Sequence, residues 1–588
     1  MNGSAATSPG GTVTPRQNTT EFPVIISGGG PVGMATALLL ARQGVRSVVL
    51  ERNTSTHCGQ SRALTVQRDI LALFDRLGIV NEILDDGASW SLSRTYYRDQ
   101  EILQLRWPAS GEDVYPAFVN FPQFRIEELL HAEAARSGLV EFRHGRTVVG
   151  IRQDAASVIV EAEGPAGTER YAGAYLVGAD GIGSTTRKAL RIPYDGWDAE
   201  GRFLVADFEV DLPLAVERRL WFDPPFSPGG IVLMHCMGER TWRIDWQIDA
   251  DADEGAELRP ECMSERVRNV IGDRPFAVLR ANTYTFQQRR ARRFRDGRVF
   301  LVGDSAHVVS PFGARGMNSG LEDAENLAWK LGFVLTGQAD PALLDIYEIE
   351  RITAADHHIQ VTGETMRFMT PADAAGKAHR DAVLEAAAAD PTQADRIDSG
   401  KLYEPHPYTT SPLTLDLDAD GSPRSARPDD PTRAGVPALD GLCQVSGSSA
   451  RTTLRKTTLR KALGGVVSLL VVPAEGGAGN DLARRLSEVP TPAAVRRRLL
   501  TRPDTSTRNP PGIDAISDST GALVSAYSGP RDQLYLVRPD CYLAVRIELA
   551  GPGALAGAVE RALDILALTP TTRQTCSSTS RTALPPTM

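Results

Sequence analysis

The chain has 588 residues, a formal net charge of −9, and 23% charged against 42% hydrophobic residues. Such a length exceeds one hydrophobic core and predicts about two to four domains, while a mildly acidic balance with Lys and Arg spread along the chain argues against a nucleic-acid partner. No apolar run approaches the ~18 residues that span a bilayer, residues 1–20 lack the basic start and apolar centre of a signal peptide, and the six cysteines (58, 236, 262, 443, 541, 576) form no CxxC or metal-ligand spacing, so the expectation is a cytoplasmic protein with reduced thiols, no membrane contact and no metal site.

Residues 1–20, rich in Gly, Ser, Thr and Pro, read as a disordered N-terminus. Residues 22–27 then read as a short buried strand, 32–44 as an Ala/Leu-rich helix, and 47–50 as a returning strand closed by Glu51. Gly28-x-Gly30-x-x-Gly33 lies at the strand-to-helix turn, where a dinucleotide places its pyrophosphate. Gly28 allows the turn, Gly30 lets backbone N–H groups approach, and Gly33 lets helix pack on strand, while the helix start attracts the anion. Glu51 suits a ribose hydroxyl, and Pro31, Val32 and Arg52 flank the contacts. His57-Cys58 reads as an ordinary loop pair, in preference to a covalent flavin tether.

The texture changes between residues 196 and 290, where 202–211, 218–222, 231–237, 241–248 and 281–286 read as strands of one mostly antiparallel sheet. His235 alternates with Leu233 and Met237 and faces a pocket, solvent or the core. Trp221, Trp246 and Tyr284 either wall an aromatic pocket or pack the sheet, with packing preferred. The cluster Arg289-Arg290, Arg292-Arg293 and Arg295 reads as solvated loop charge, the alternative being attraction of NADPH phosphates.

Residues 299–302 read as a strand ending in Gly303-Asp304, a position from which a carboxylate accepts from a ribityl or ribose hydroxyl. In the helix that follows, Asn318 or Ser319 is expected to cap, Glu322 and Asp323 to occupy the first turn, and Leu321, Ala324, Leu327, Ala328, Leu331 and Leu335 to form the apolar face. Free N–H groups near Gly316, Met317 and Asn318, with Arg315, would stabilise an anionic reduced flavin; together with the first glycine motif they indicate FAD. His307 reads as a packing or hydrogen-bonding residue. Residues 346–369 look helical, and His357-His358 on that helix, lacking a partner at metal spacing, reads as surface. Residues 371–430 read as a connecting arm with a helical piece at 380–389. A further domain begins near 431, with a strand at 466–472, a hairpin of 533–537 and 541–547, and a helix at 554–566.

With a third segment, Gly178-Ala179-Asp180-Gly181-Ile182-Gly183-Ser184 before Arg187, the chain resembles the class A flavoprotein aromatic hydroxylases, whose fold is typified by para-hydroxybenzoate hydroxylase. The resemblance is strongest to the branch of 3-(3-hydroxyphenyl)propionate hydroxylase and phenol hydroxylase; it covers residues 21–370 closely and the remainder loosely. It implies an α/β architecture: a Rossmann-like FAD-binding domain of the glutathione-reductase type (21–195 and 291–370), an inserted, mostly antiparallel substrate-binding sheet (196–290), a helical connecting arm (371–430), and a thioredoxin-like α/β domain (431–570) before a disordered tail (571–588). Without CxxC that last domain performs no dithiol chemistry and is expected to serve a homodimer.

The same resemblance implies non-covalent FAD, contacted by Arg62, Gln123 and Asp180 besides the motif residues, with NADPH or NADH as co-substrate and O2 and a small aromatic molecule as partners. The reaction it implies is hydroxylation of a phenolic ring through a flavin C4a-hydroperoxide, on a hydroxyphenylpropionate-like substrate or a simple phenol. Orientation, a dry pocket and hydrogen-bond donors are then the protein's contribution, with Pro311, Gly313, Arg315 and His235 as candidates beside the reacting atoms. Two departures touch that region: Ser310, where many relatives carry a second proline, and Ala314-Arg315, where many carry Gly-Gln. Epoxidation or dehydrogenation of a natural product on the same fold, and non-catalytic flavin binding, are the alternatives. Halogenation is disfavoured, because Trp242 and Trp246 have the wrong spacing for a Trp-x-Trp-x-x-Pro segment.

Overall fold

A computed structural model describes residues 22–55, 63–107, 114–425, 427–446, 455–477, 479–503 and 510–566. Arg62, His57-Cys58 and the two terminal segments lie outside the described residues.

Near-continuous apolar runs make the strands of the first sheet, whose order is Arg295–Asp296, Val299–Leu301, Tyr175–Gly178, Val24–Ser27, Ser47–Glu51 and Val140–His144. All neighbours are parallel except the first pair. Both faces are covered, as parallel strands require. Val24, Ile26, Val49 and Val177 pack under the helices Pro31–Arg42 and Arg315–Leu335. Ile25, Val48, Leu50 and Leu176 meet Val148, Val158 and Val160 of the three-stranded antiparallel sheet Thr147–Gln153, Val158–Gly164 and Gly167–Gly173.

The second sheet has eight strands in the order His307–Val308, Phe276–Ala291, Tyr194–Val210, Thr241–Ile248, Ile231–Cys236, Arg218–Phe222, Leu92–Tyr97 and Gln100–Arg106. Two of these come from before residue 196, and Arg218–Phe222 pairs with Leu92–Tyr97 in parallel. Tyr194–Val210 and Phe276–Ala291 are much longer than their apolar stretches suggest. They pair along nearly their whole length, with irregularities at Asp198/Arg202 and Asp207/Phe208, and their exposed parts carry both polar residues, such as Asp195 and Asp198, and apolar ones, Trp197, Val278 and Leu279. Helix Pro260–Ile271 covers one face, seating Met263 and Val267 against Trp242, Ile244 and Trp246.

The third sheet, also eight-stranded, is mixed. Val467–Val472 lies between Val495–Thr501, parallel to it, and Gln533–Val537, antiparallel, and Gln533–Val537 forms a hairpin with Leu543–Glu548. Leu415–Leu417, from the segment read as a connecting arm, adds a parallel edge strand. Among the described residues no helix is long and apolar enough to cross a membrane.

Candidate active site

Motifs separated by nearly 300 residues meet at the carboxyl ends of four adjacent parallel strands: Gly303-Asp304 after Val299–Leu301, Asp180 after Tyr175–Gly178, Gly28 to Gly33 after Val24–Ser27, and Glu51 ending Ser47–Glu51. Open α/β sheets bind ligands at such an edge. Space in the first turn is apportioned residue by residue. Gly28 has φ +106°, and a Cβ on it would lie 2.3 Å from the Ala179 carbonyl oxygen, whereas one on Gly30 would meet nothing within 4 Å. The helix behind the turn begins with Pro31, has no side-chain cap and no acid in its first turn, so its dipole faces that open space uncompensated. Val32 is half-buried and packs against Gly303. Glu51 accepts from the N–H groups of Gly29 (2.7 Å) and Asn53 (2.8 Å); a carboxylate retains lone pairs beyond two such bonds. Arg52 points to solvent.

The resident chemistry of other expected contacts is structural. Asp180 accepts from Ser184 Oγ, Thr185 Oγ1 and the Thr186 N–H and hydroxyl, fixing the start of helix Thr185–Ala189. Arg187 donates to the Ser305 and Ile182 carbonyls and lies 3.8 Å from the Tyr194 ring centroid, and Tyr194 donates to the Asp304 carbonyl. The Gln123 amide accepts from Ala63 N–H and donates to Glu127, adjoining the segment that carries Arg62.

The long helix starts at Arg315, earlier than the capping pattern indicates, with Ala314 at the N-cap in the left-handed region (φ 56°). Asn318 is therefore not a cap. Its amide bridges to the backbone of Thr65 and Gln67 and donates to the Ala314 carbonyl, and Glu322 and Asp323 fall in the third turn. A β-carbon in that conformation carries a penalty of about 1 kcal/mol that glycine avoids. Gly316 leaves its Cβ direction open within 4 Å, and Met317 is partly buried against the core.

In the preceding turn, Phe312 N–H points to Ser310 Oγ at 3.4 Å, and Ala314 N–H donates to the Pro311 carbonyl. Of the donors expected there, Pro311 has none, and Gly313 N–H has no hydrogen-bond partner among the described residues. Gly313 has φ +96°, and a Cβ on it would strike the Lys401 carbonyl oxygen at 2.3 Å. Arg315 is not free to swing toward a ligand: it is buried, donating to His358 Nδ1 (2.8 Å) and to the Lys401 and Leu402 carbonyls. His358 thus contradicts its surface reading. Burial, with Arg315 beside it, holds its imidazole well below the usual range, so it is neutral and accepts. Its neighbour His357 is exposed. His307 hydrogen-bonds Asp323 at 2.7 Å, and Asp323 also accepts from Gly303 N–H and Arg351.

The second sheet turns a polar face toward this turn. Alternation puts Trp242, Ile244, Trp246 and Ile248 under the covering helix and Arg243, Asp245 and Gln247 on the opposite side. Asp245, Gln247, Asn282, Tyr284 and Phe286 on that side are only partly covered, the condition of a cleft wall. Phe203 and Phe286 meet Phe312 with ring centroids 5.6 and 5.4 Å apart. His235 is on this face, with Arg218 and Arg243 opposite it on the flanking strands. Burial and those two arginines push it down to about 3. Trp246 belongs to the core, and Trp221 stacks on Tyr96. Arg218, Arg243 and Asp245 were not singled out in the sequence, although every second residue of 242–248 is polar. Arg289 and Arg290 lie in a strand, not a loop, and with Arg292, Arg293 and Arg295 each pairs with an aspartate.

Among the described residues, no group of three His, Cys, Asp or Glu side chains could hold a metal ion. Residues 21–362 match the family model described as FAD binding domain. Among curated relatives, the chain is 29% identical over 537 residues to a 3-(3-hydroxy-phenyl)propionate/3-hydroxycinnamic acid hydroxylase of Mycobacterium sp. (strain KMS), covering 89% of this chain and 87% of that protein. It is 34% identical over 352 residues to the 12-dehydrotetracycline 5-monooxygenase/anhydrotetracycline 6-monooxygenase of Streptomyces rimosus subsp. rimosus, covering 56% and 66%. Among solved structures, the flavin-dependent monooxygenase PieE, in complex with FAD and substrate, superposes with a TM-score of 0.72 at 23% identity, covering 93% of this chain and 99% of that one.

Proposed function

The chain belongs to the FAD binding domain family, and from that premise we propose that it is an FAD-dependent monooxygenase that uses NAD(P)H and O2 to hydroxylate a phenolic ring. The carrying observation is the convergence of the Gly28–Gly33 turn, Glu51, Gly303-Asp304 and the Pro311–Asn318 turn at one sheet edge, with the polar face of the second sheet beside it. The names of the relatives, a 3-(3-hydroxy-phenyl)propionate/3-hydroxycinnamic acid hydroxylase and a 12-dehydrotetracycline 5-monooxygenase/anhydrotetracycline 6-monooxygenase, support the reading.

The residues present suit FAD. The open space over Gly30, at an uncapped helix start, would hold the pyrophosphate, Glu51 would hold a ribose, and the start of Arg315–Leu335 would supply partial positive charge to the flavin. Bound there, reduced FAD supplies the activation of O2. The polypeptide's part is positioning and exclusion of water. Gly313 N–H, in a turn that tolerates no side chain, offers a fixed donor. Phe203, Phe286 and Phe312 give an apolar, aromatic wall. Arg315 contributes a fixed positive charge from beneath the turn, not a mobile side chain. The C-terminal sheet is taken as a thioredoxin-like unit on the strength of its central strand pairing.

NAD(P)H oxidation by the purified holoenzyme across a panel of phenols, with hydroxylated product and peroxide quantified together, tests this. Stimulated oxidation with stoichiometric product is expected. Absence of stimulation by every phenol would favour epoxidation, dehydrogenation or simple flavin binding.

A further inference from the structure

We propose that the end of the second sheet formed by loop 211–217 and the groove beside helix Pro260–Ile271 is a two-fold interface with a second copy of this chain. The proposal concerns assembly and stands independently of the hydroxylase reading.

Both halves of such a contact are present on one molecule. Nine large apolar side chains are exposed among the described residues, and four of them, Leu214, Val216, Val278 and Leu279, belong to this end of the sheet. Single exposed apolar residues are ordinary, whereas a group of them marks a contact surface. Residues 211–217 connect Tyr194–Val210 to Arg218–Phe222 outside any helix or strand, and every residue from Pro213 to Val216 is exposed. The loop is anchored at both ends. Leu212 and Phe276 pack on the same apolar cluster, which contains Met263, and Glu217 is buried and paired with Arg94 and Arg219. Between the anchors, Leu214 and Val216 keep 42% and 43% of their surface in solvent.

The recess lies beside this protrusion. Val210, the residue before the loop, is opposite Phe276 in the strand register. Met263, Phe276 and Val278 line a groove of about 900 Å³ between the helix and the strand Phe276–Ala291, together with the exposed Arg268, Asp273 and Arg274. Leu279 has no partner across the sheet, because the register shifts between Asp207 and Phe208. Such a bulge spoils the edge for the addition of a further strand, so side chains carry the contact.

Charge selects the occupant. Arg268, Arg274 and Asp211 form no ion pair among the described residues. Two arginines against Asp273 leave the groove lining net positive, and the loop is net negative through Asp211, Glu217 being already paired. An apolar protrusion with an acidic head beside an apolar recess with a basic side is self-complementary: a two-fold axis brings each loop to the other copy's groove, as an isologous interface requires. Leu214 and Val216 of one copy then seat against Phe276 and Val278 of the other, and Asp211 meets Arg268 and Arg274.

Sedimentation velocity of the purified holoenzyme tests the interface. A species of twice the 63.5 kDa chain mass is expected at micromolar concentration. Because a two-fold interface makes each contact twice, Leu214→Glu should raise the dimer Kd at least about a hundred-fold, a factor of about ten per site, and Val278→Glu should act alike. Both positions are exposed in the single chain, so the variants should keep the circular dichroism and FAD content of the wild type. Charge reversal isolates the pairing itself. Asp211→Arg and Arg274→Asp should each weaken the dimer, like charges now facing one another. An equimolar mixture of the two variants should associate more tightly than either alone, since both loop–groove contacts of the mixed dimer again join opposite charges. A wild-type chain that stays monomeric at every concentration would overturn the proposal and leave the groove to a different protein. A dimer indifferent to Leu214→Glu and Val278→Glu would overturn it in favour of another face, and a mixture no tighter than its components would overturn the pairing of loop with groove.

Discussion

A Cβ added at Gly33 would lie 2.1 Å from the Gly28 carbonyl oxygen, inside the contact between helix and strand, whereas Gly30 faces open space. The two positions of one motif therefore separate folding from cofactor binding. Gly33→Ala is expected to cost about 1–3 kcal/mol, the range for overpacking a tight contact. Gly30→Ala should leave apoprotein stability within about 0.5 kcal/mol and raise the Kd for FAD at least about ten-fold, one hydrogen bond's worth. Thermal unfolding of the apoproteins and FAD titration by fluorescence quenching check both; wild-type FAD affinity in Gly30→Ala would show that the open space is not the pyrophosphate position. These glycines were legible because their spacing is local. Arg218 and Asp245 were not, since polar residues alternating with tryptophan and isoleucine signify solvent on one side unless another unit covers it, and that cover comes from residues 312 and 399–402, far along the chain. His358 failed similarly: the helix Asp345–Met369 buries polar and small residues around much of its circumference, so local pattern gave no reason to turn one histidine inward and its neighbour out.

At the scale of elements, the helix Arg315–Leu335 binds the cofactor edge together from beneath. Its expected apolar stripe is present, with Leu321, Ala324, Leu327, Ala328 and Leu331 buried, but its start was misplaced because Asn318 looks like a cap and instead reaches across to the Thr65–Gln67 strand. Asp323 is the element's strongest tie. It joins Gly303 N–H (2.8 Å), His307 and Arg351 (2.5 Å), and these partners hold its carboxyl below the usual range despite burial. Asp323→Asn keeps the shape but removes a buried charge opposite Arg351, and breaking such a pair costs about 3–5 kcal/mol. Because Gly303 begins the turn that positions Asp304, the variant should also bind FAD more weakly although Asp323 is not itself assigned a cofactor contact. Urea unfolding and FAD titration measure the two effects. A stability loss with unchanged FAD affinity would mean that the turn is held by Ser305 and Tyr194 without help from the helix.

Across the whole molecule, the C-terminal sheet is docked by buried charge as well as by apolar area. Glu350 accepts from Arg538 (2.6 and 3.0 Å), Lys330 (2.9 Å) and Ser411 (2.6 Å), and Asp540 accepts from Arg538 and Trp329. Although burial works against ionisation, the Arg538 and Lys330 charges hold Glu350 far below the usual carboxylate range. Around this centre, Trp329, Phe333 and Leu343 pack into the core of the C-terminal sheet; Asp69 pairs with Arg460 and Asp75 with Lys461. A looser arm and an appended domain were what composition alone conveyed, because Glu350, Asp69 and Asp75 each look like surface residues until Arg538, Arg460 and Lys461, 188 to 391 positions further on, are in place. Coupled in this way, the sheets should unfold together. Arg538→Ala leaves Glu350 and Asp540 short of a cation in a site closed to water, and the expected loss is about 3–5 kcal/mol. Differential scanning calorimetry of the wild-type holoenzyme should show one transition with FAD released across it, and the variant should melt earlier, with the C-terminal sheet's loss dragging flavin release down with it. If instead the variant shows a separate early transition while FAD fluorescence stays quenched to the wild-type temperature, the C-terminal sheet is an independent body and the buried charges serve only its orientation.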